Sequence, residues 1–335
     1  MKGVQSTVNI YEIARIANVS PATVSRVINN KPNISPKTYD RVMQVMSETG
    51  FRPNAIARGL ASNSMSLIGI IVDDIRNLYR ANCVYYLEDG LTERGYNSVV
   101  FNGGKKGAEL ANIIARQQFD ALIFVGSSMG GGWVADFVRD TYNQKPVLMF
   151  NGELGLPNTM SIICDEYRGM QFIGDHLYRS GYRKPVYVHF KDTPASQRKL
   201  FGFRNKLIEL NVPFDDSRIF YTSDEGFSGG CEAASHILES GLTFDSIVCS
   251  LDLLALGTMY TLRRYGYTIP GDIAVTGFDN LIYGKLSAPF LTSVDGKVKE
   301  MSKRAVDMLI NALDTGIIEN EPIYIAPSLF LGETT

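Results

Sequence analysis

Nine short β-rich runs, spaced by stretches of helical periodicity, restrict the fold of this chain more than any other feature. They lie at 67–72 (LIGIIV), 97–102 (NSVVFN), 121–126 (ALIFVG), 146–151 (PVLMFN) and 161–164 (SIIC), and then at 185–190 (PVYVHF), 218–221 (RIFY), 246–250 (SIVCS) and 273–278 (IAVTGF). Their length and their β-branched and aromatic content read as strands. Helical segments separate them, among them 106–118, 133–143, 166–180, 196–210, 227–240 and 252–265. Strands alternating with helices imply parallel sheets covered on both faces. Two such series in succession imply two α/β lobes. Ligands of open α/β sheets bind beyond the carboxyl ends of the strands, so the cleft between the lobes is the expected ligand site.

The first 62 residues have a different character. They hold eight basic residues against three acidic ones, a net charge of +5, while the remainder holds 25 against 32 and carries −7. A small cationic head on an anionic body suggests a polyanionic partner. Within the head, residues 9–17 (NIYEIARIA) place Ile10, Ile13, Ala14 and Ala17 on one helical stripe. Asn18-Val19 reads as a tight turn. Ser20 then reads as an N-cap with Pro21 at the first helical position, where its missing N–H costs nothing. The following helix turns Val24, Val27 and Ile28 inward and leaves Ala22, Thr23 and Arg26 outward. A second Ser-Pro start, Ser35-Pro36, opens a helix with Tyr39, Val42, Met43 and Met46 as its apolar stripe and Gly50 as its stop. Two short helices around a tight turn, closed by a third, form a helix-turn-helix whose second helix fits a major groove. A three-helix protein-docking module is the alternative, which the charge balance disfavours.

Several classes are disfavoured. The length of 335 residues exceeds what one core usually serves, which predicts two or three domains. No apolar run approaches the roughly 20 residues of a membrane span, and residues 1–6 lead into a polar stretch with no signal-peptide core. These features predict a cytoplasmic protein with no membrane partner. Cys83, Cys164, Cys231 and Cys249 are widely spaced, and the only histidines are His176, His189 and His236; the expectation is four buried thiols, no metal and no cofactor. The glycine-rich GSSMGGGW at 126–133 follows a strand and precedes a helix, but it lacks the Gly-Lys-Ser/Thr ending of a phosphate loop and the dinucleotide spacing. A loop at the edge of the cleft is the simpler expectation. No Gly-x-Ser-x-Gly elbow occurs, so an enzyme is a poor reading.

The strings VSPATVSRVIN and RPNAIARGL, within a stretch running from Asn9 to Leu60, resemble the DNA-binding head of the lactose-repressor/galactose-repressor (LacI/GalR) family. GYRKPVYVHF, LDLLALG and IPGDIAVTGFDN resemble landmarks of that family's body, and the likeness covers nearly the whole chain. The resemblance implies a lambda-repressor-like helix-turn-helix domain over 1–52, a hinge helix over 53–62 and an effector-binding and dimerisation domain over 63–335. The latter would be a two-lobed, periplasmic-binding-protein-like α/β body. Its lobes would comprise about 63–164 with 295–325, and about 165–294 with 326–335, because the family's chain crosses three times between lobes.

The resemblance also implies roles for particular residues. Pro21, Ala22 and Arg26 would face bases. Since Pro21 and Ala22 lack hydrogen-bonding side chains, Arg26 is the expected guanine reader, contributing about 1–3 kcal/mol of discrimination. Ser20, Thr23, Ser25 and Asn29 would touch phosphates and set register. In the hinge, Asn54, Ala57, Arg58 and Leu60 would contact DNA, with Leu60 as the family's minor-groove wedge. Helices this short are marginal alone, so the hinge is expected to fold only beside its dimer mate on DNA.

For the cleft, the family's pocket positions fall on Asp73, Asn77, Asn151, Lys199, Glu225, Leu251 and Asp279, with a glycine at 296. Lys199 stands where the family usually has a ligand-clamping arginine, and Leu251 where it has a polar residue. Glu225 stands where an aromatic ring often stacks, with Phe227 as a neighbouring alternative. Lysine does not replace a bidentate arginine conservatively, and leucine cannot bond a hydroxyl. The expectation is a homodimeric transcription regulator, a repressor on a pseudo-palindromic operator, controlled by a small polar metabolite such as a sugar or sugar phosphate. The alternatives are control by a protein co-regulator or by a non-sugar ligand and, more distantly, a solute-binding protein.

Overall fold

The structure, a computed structural model, describes residues 8–28, 32–51, 64–103, 107–190 and 193–335. The described residues form two compact units that part between Met65 and Ser66.

The first unit is three helices, Ile10–Ile16, Pro21–Ile28 and Pro36–Thr49. Each start is fixed by a side chain that satisfies backbone N–H groups left free at a helix end. Asn9 accepts from the N–H of Tyr11 and Glu12. Ser20 Oγ accepts from Thr23 at 3.1 Å, and Ser35 Oγ from Thr38 at 3.2 Å. Asn18, at φ 50°, makes the turn between the first two helices, and Gly50, at φ 63°, ends the third. Ile13, Ala14, Ala17, Val24, Val27, Val42 and Val45 form the core. The third helix differs from the expected stripe. Val42 and Val45 are buried and Met46 packs partly on them, whereas Tyr39 and Met43 are exposed. The helix therefore presents its 42/45/46 edge to its short neighbours.

The second unit holds two six-stranded sheets. The strands are β1 Leu67–Val72, β2 Asn97–Asn102, β3 Ala121–Val125, β4 Val147–Phe150, β5 Thr159–Cys164, β6 Pro185–Phe190, β7 Ile219–Thr222, β8 Ser246–Cys249, β9 Ala274–Phe278, β10 Thr292–Asp295, β11 Ile323–Ile325 and β12 Ser328–Phe330. The first sheet runs β11-β5-β4-β3-β1-β2, all parallel. The second runs β12-β10-β9-β8-β6-β7, parallel except for the antiparallel edge strand β12. The chain thus passes between sheets after Cys164, after Asp295 and after Ile325.

Helices at Leu78–Glu93, Gly107–Ala115, Trp133–Asp140 and Val298–Thr315 belong to the first lobe, and those at Glu166–Arg179, Pro194–Glu209, Phe227–Glu239 and Asp252–Arg264 to the second. Strands buried on both faces read as the continuous apolar runs seen in β1, β3 and β4. The register of these strands aligns their carboxyl ends. Val72 pairs with Val125, and Val125 with Phe150, so the residues just beyond β1, β3 and β4 emerge side by side. In both sheets strand order reverses beside the first strand, between β2 and β3 in one and between β7 and β8 in the other. Such a reversal opens a crevice at the carboxyl edge.

Candidate nucleic-acid interface and effector cleft

In the first unit the helix Pro21–Ile28 buries Val24 and Val27, which leaves Ser20, Pro21, Ala22 and Arg26 exposed and Thr23 and Ser25 half-buried. Arg26 extends from the outer face in the last turn of that helix, where a cation also suits the helix dipole. Arg15, Lys37 and Arg41 are exposed on the other two helices. The hydroxyls of Ser20 and Thr23 lie 2.9 Å apart and bond one another. Their first role is thus to cap the helix. Asn29, Asn54, Ala57, Arg58 and Leu60, and the hinge 53–62 as a whole, lie outside the described residues.

In the second unit a cleft of about 500 Å³ opens between the two sheets. All seven cleft positions named from the sequence line it: Asp73, Asn77, Asn151, Lys199, Glu225, Leu251 and Asp279. The reason is in part topological, because three of them directly follow strands: Asp73 follows β1, Asn151 follows β4 and Asp279 follows β9. Leu251 lies one residue further from its strand, β8, and Gly296 just past β10 also lines the cleft. The GSSMGGGW segment begins at the rim, where Gly126, Ser127 and Ser128 line the cavity. Phe227 is 45% exposed, packs against Tyr260 and does not line the cleft, whereas Glu225 does, together with Ser223 and Asp224 of the same loop.

The polar groups of the cleft are engaged with one another. Asp73 accepts from the Asp74 N–H at 2.8 Å, from Ser128 Oγ at 2.8 Å and from Arg80 Nη2 at 3.0 Å. Arg80 Nη1 reaches across to Glu225 of the other lobe at 2.9 and 3.2 Å. Asn77 caps the helix Leu78–Glu93 by accepting the Arg80 N–H. Asn151, at φ 58°, donates to Glu166 at 2.9 Å and accepts the Cys164 N–H at 2.9 Å. Glu166, itself buried, pairs with Arg198 at 2.7 Å. Lys199 donates to the Ser250 carbonyl at 2.9 Å, lies 3.7 Å from the Phe278 ring centre and stands 4.0 Å from Asp279. Leu251 leaves its helix start without a side-chain cap and, with Phe190 and Phe278, forms the apolar part of the wall.

Sequence reasoning missed Arg80 and Glu166. Arg80 did carry a signal: it lies in the first turn of a helix, where the dipole disfavours a cation. A positive charge there calls for carboxylate partners, and it has two. Glu166 becomes a partner only when the crossing after β5 brings it beneath Asn151.

Asp279 sits at φ 111°, a conformation strained for any residue but glycine. A buried strut holds it. Asp252 accepts the Leu281 N–H at 2.6 Å and Ser293 Oγ at 2.6 Å, fixing the loop between β9 and β10. Burial, and secondarily the nearby Asp279, pushes the Asp252 carboxyl up from 3.8 to about 8. Burial likewise pushes Asp279 up to about 6, although Lys199 and Arg80 pull it down. The folded state thus retains the Asp252 proton up to about pH 8, whereas the unfolded chain releases it near 3.8. Stability from this group is therefore full below the lower value and is lost as pH rises through the upper one. Asn in its place can still accept from Leu281 and donate to Ser293, without titrating. The melting temperature of Asp252→Asn is expected to gain on the wild type between about pH 5 and pH 8. A gap independent of pH contradicts this role.

A helix-turn-helix unit carried on a two-lobed α/β unit with a ligand-sized interlobe cleft defines a DNA-binding transcriptional regulator. Residues 9–54 match the family described as bacterial regulatory proteins, lacI family, and residues 174–335 match the periplasmic binding protein-like domain. The chain is 30% identical over 332 residues to an HTH-type transcriptional regulator of Lachnoclostridium phytofermentans, covering 98% of this chain and 99% of that one. It is 28% identical over 334 residues to catabolite control protein A of Priestia megaterium, with 98% and 99% covered. Its fold superposes on the lac repressor dimer bound to operator and the anti-inducer ONPF with a TM-score of 0.85, at 22% identity and with 98% and 99% covered. The chain belongs to the lacI family of bacterial regulatory proteins. Among the described residues no helix is long and apolar enough to cross a membrane, and no cluster of three or more metal-ligating residues occurs. Cys83, Cys164 and Cys249 are buried free thiols; Cys231, also expected to be buried, is half-buried, its thiol donating to the Gly257 carbonyl of the neighbouring helix at 3.4 Å.

Proposed function

We propose that the protein is a homodimeric repressor of a pseudo-palindromic operator and that a small polar metabolite in the interlobe cleft controls it. The observation that carries this reading is the convergence of strand ends from both sheets on one cavity in a chain that also bears a helix-turn-helix. Arg26 reads a guanine in each half-site, with Pro21 and Ala22 beside it. Ser20, Thr23, Ser25 and Asn29 set register on the phosphates. The hinge residues Asn54, Ala57, Arg58 and Leu60 act at the operator centre. Exposed apolar side chains on both lobes support self-association: Val99 and Val100 on the edge strand β2, Ile113 on the next helix, and Ile282 and Leu286 after β9.

A ligand that binds one arrangement of the lobes better than another shifts the population of the DNA-competent state by that difference in affinity. The test is a metabolite screen on the full chain, reading both melting temperature and affinity for the selected operator. At least one compound is expected to stabilise the fold by mass action and to change operator affinity. Asp279→Ala is expected to remove that response while operator binding without metabolite persists. Stabilising compounds that leave operator affinity untouched would refute control through the cleft.

A further inference from the structure

The charges of the cleft restrict the class of its ligand, on the footing that the cleft is the effector site. Among the described residues six carboxylates line it, Asp73, Asp74, Glu166, Asp224, Glu225 and Asp279, against two cations, Arg80 and Lys199. Neither cation is available to an incoming anion. Arg80 is held by Asp73 and Glu225 together, with only 15% of its side chain exposed. The Lys199 ammonium is taken up by a carbonyl, an aromatic face and Asp279.

The carboxylates are not all balanced in return. Glu166 draws on Arg198 and Asp74 on Arg76, but Asp73 and Glu225 share a single guanidinium. Asp224 accepts the Gly226 N–H at 2.7 Å and has no ion-pair partner among the described residues. Among the described residues the unbalanced negative charge therefore gathers on the Glu225 side, where the second lobe faces Arg80. The same cleft is also lined by the apolar Leu251, Phe190 and Phe278 and by the hydroxyls of Ser127 and Ser223. A phosphate entering here would shed water to meet carboxylates, whereas an ammonium would supply the missing charge.

We propose that the effector is a small hydroxylated amine, such as an amino sugar, with its ammonium at Glu225 and Asp224, and that the cleft rejects sugar phosphates. Arg80 then acts as a resident cation that marks the place where positive charge is tolerated. The volume of about 500 Å³ lies within the range of small-molecule sites.

The test is calorimetry on the full chain near neutral pH with two matched sets: glucosamine, glucose and glucose 6-phosphate, and galactosamine, galactose and galactose 6-phosphate. In at least one set the amine is expected to bind about tenfold or more tighter than its neutral parent, with no binding of the phosphate. Glu225→Gln, which keeps the size of the side chain and an acceptor for Arg80, is expected to erase the amine's advantage while the neutral parent's binding persists and the protein still melts cooperatively. The proposal is overturned if a phosphate equals or exceeds its amine, if neither amine binds, or if Glu225→Gln leaves the preference intact. A neutral or phosphorylated compound that binds as tightly as its amine or tighter, and alters operator affinity, would remove only the charge class and leave the cleft as effector site. A protein whose operator binding ignores every cleft ligand would remove both.

Discussion

Arg26→Ala is expected to weaken binding to the selected operator by about 30-fold or more, while binding to random DNA of equal length changes by only a few-fold. A bidentate arginine-guanine contact contributes about 1–3 kcal/mol of discrimination, and a dimer makes the contact in both half-sites. The side chain is exposed on the outer face of its helix, whose inner face is occupied by Val24 and Val27. Removing it therefore costs the unit little stability, and the loss reads as recognition. Electrophoretic mobility titrations on both DNAs at fixed salt check this, since phosphate contacts alone make affinity fall steeply with salt. Equal losses on the two DNAs would reduce Arg26 to a phosphate contact.

The second large effect is on stability. The helices Phe227–Glu239 and Asp252–Arg264 cross through two glycines that leave no room for a side chain. A Cβ on Gly257 would stand 2.0 Å from the Phe227 carbonyl oxygen and 2.9 Å from the Cys231 nitrogen, and one on Gly230 would stand 2.1 Å from the Leu254 carbonyl oxygen. Backbone atoms cannot rotate away as a side chain can, so Gly257→Ala has to push the helices apart. Alanine gains about 1 kcal/mol of helix propensity over glycine. Overpacking at a rigid contact costs about 3 kcal/mol, and so wins. A fall of roughly 5 °C or more in melting temperature is expected for a unit of this size. Gly131→Ala, where nothing lies within 4 Å of the added carbon, serves as the control with little change. Calorimetry of both variants decides.

Most of the fold is legible in the sequence because its signals are local. The nine anticipated strands all occur, with ends displaced by up to two residues; β4 stops at Phe150, for instance, because Asn151 turns into the left-handed region. Strands β10 (TSVD), β11 (IYI) and β12 (SLF) give no comparable signal. They are short, and pairing with β9, β5 and β10 holds them in place rather than their own composition. The third helix of the head shows the reverse failure: several apolar residues compete for one face, and packing chooses Val45 over Tyr39 and Met43.

The cleft positions are legible where they follow a strand, since a strand's end is also a sheet's edge. What the sequence hides is pairing between residues far apart in the chain. Arg80 and Glu225 are separated by 145 positions, and nothing local to either names the other. The same holds for Lys199, whose substitution for an arginine suggests a weakened ligand clamp. In the structure it is a buried ammonium satisfied by Ser250 and Asp279, and so a fixed part of the wall.

The central claim is that the chain recognises a two-fold DNA site through its helix-turn-helix. The most direct test is selection of bound sequences from a random duplex pool by the purified full-length protein, with the enriched pool sequenced. An inverted repeat is expected, enriched over successive rounds and lost from the pool selected with Arg26→Ala. Recovery of no enriched motif, or of the same motif with and without Arg26, would contradict it.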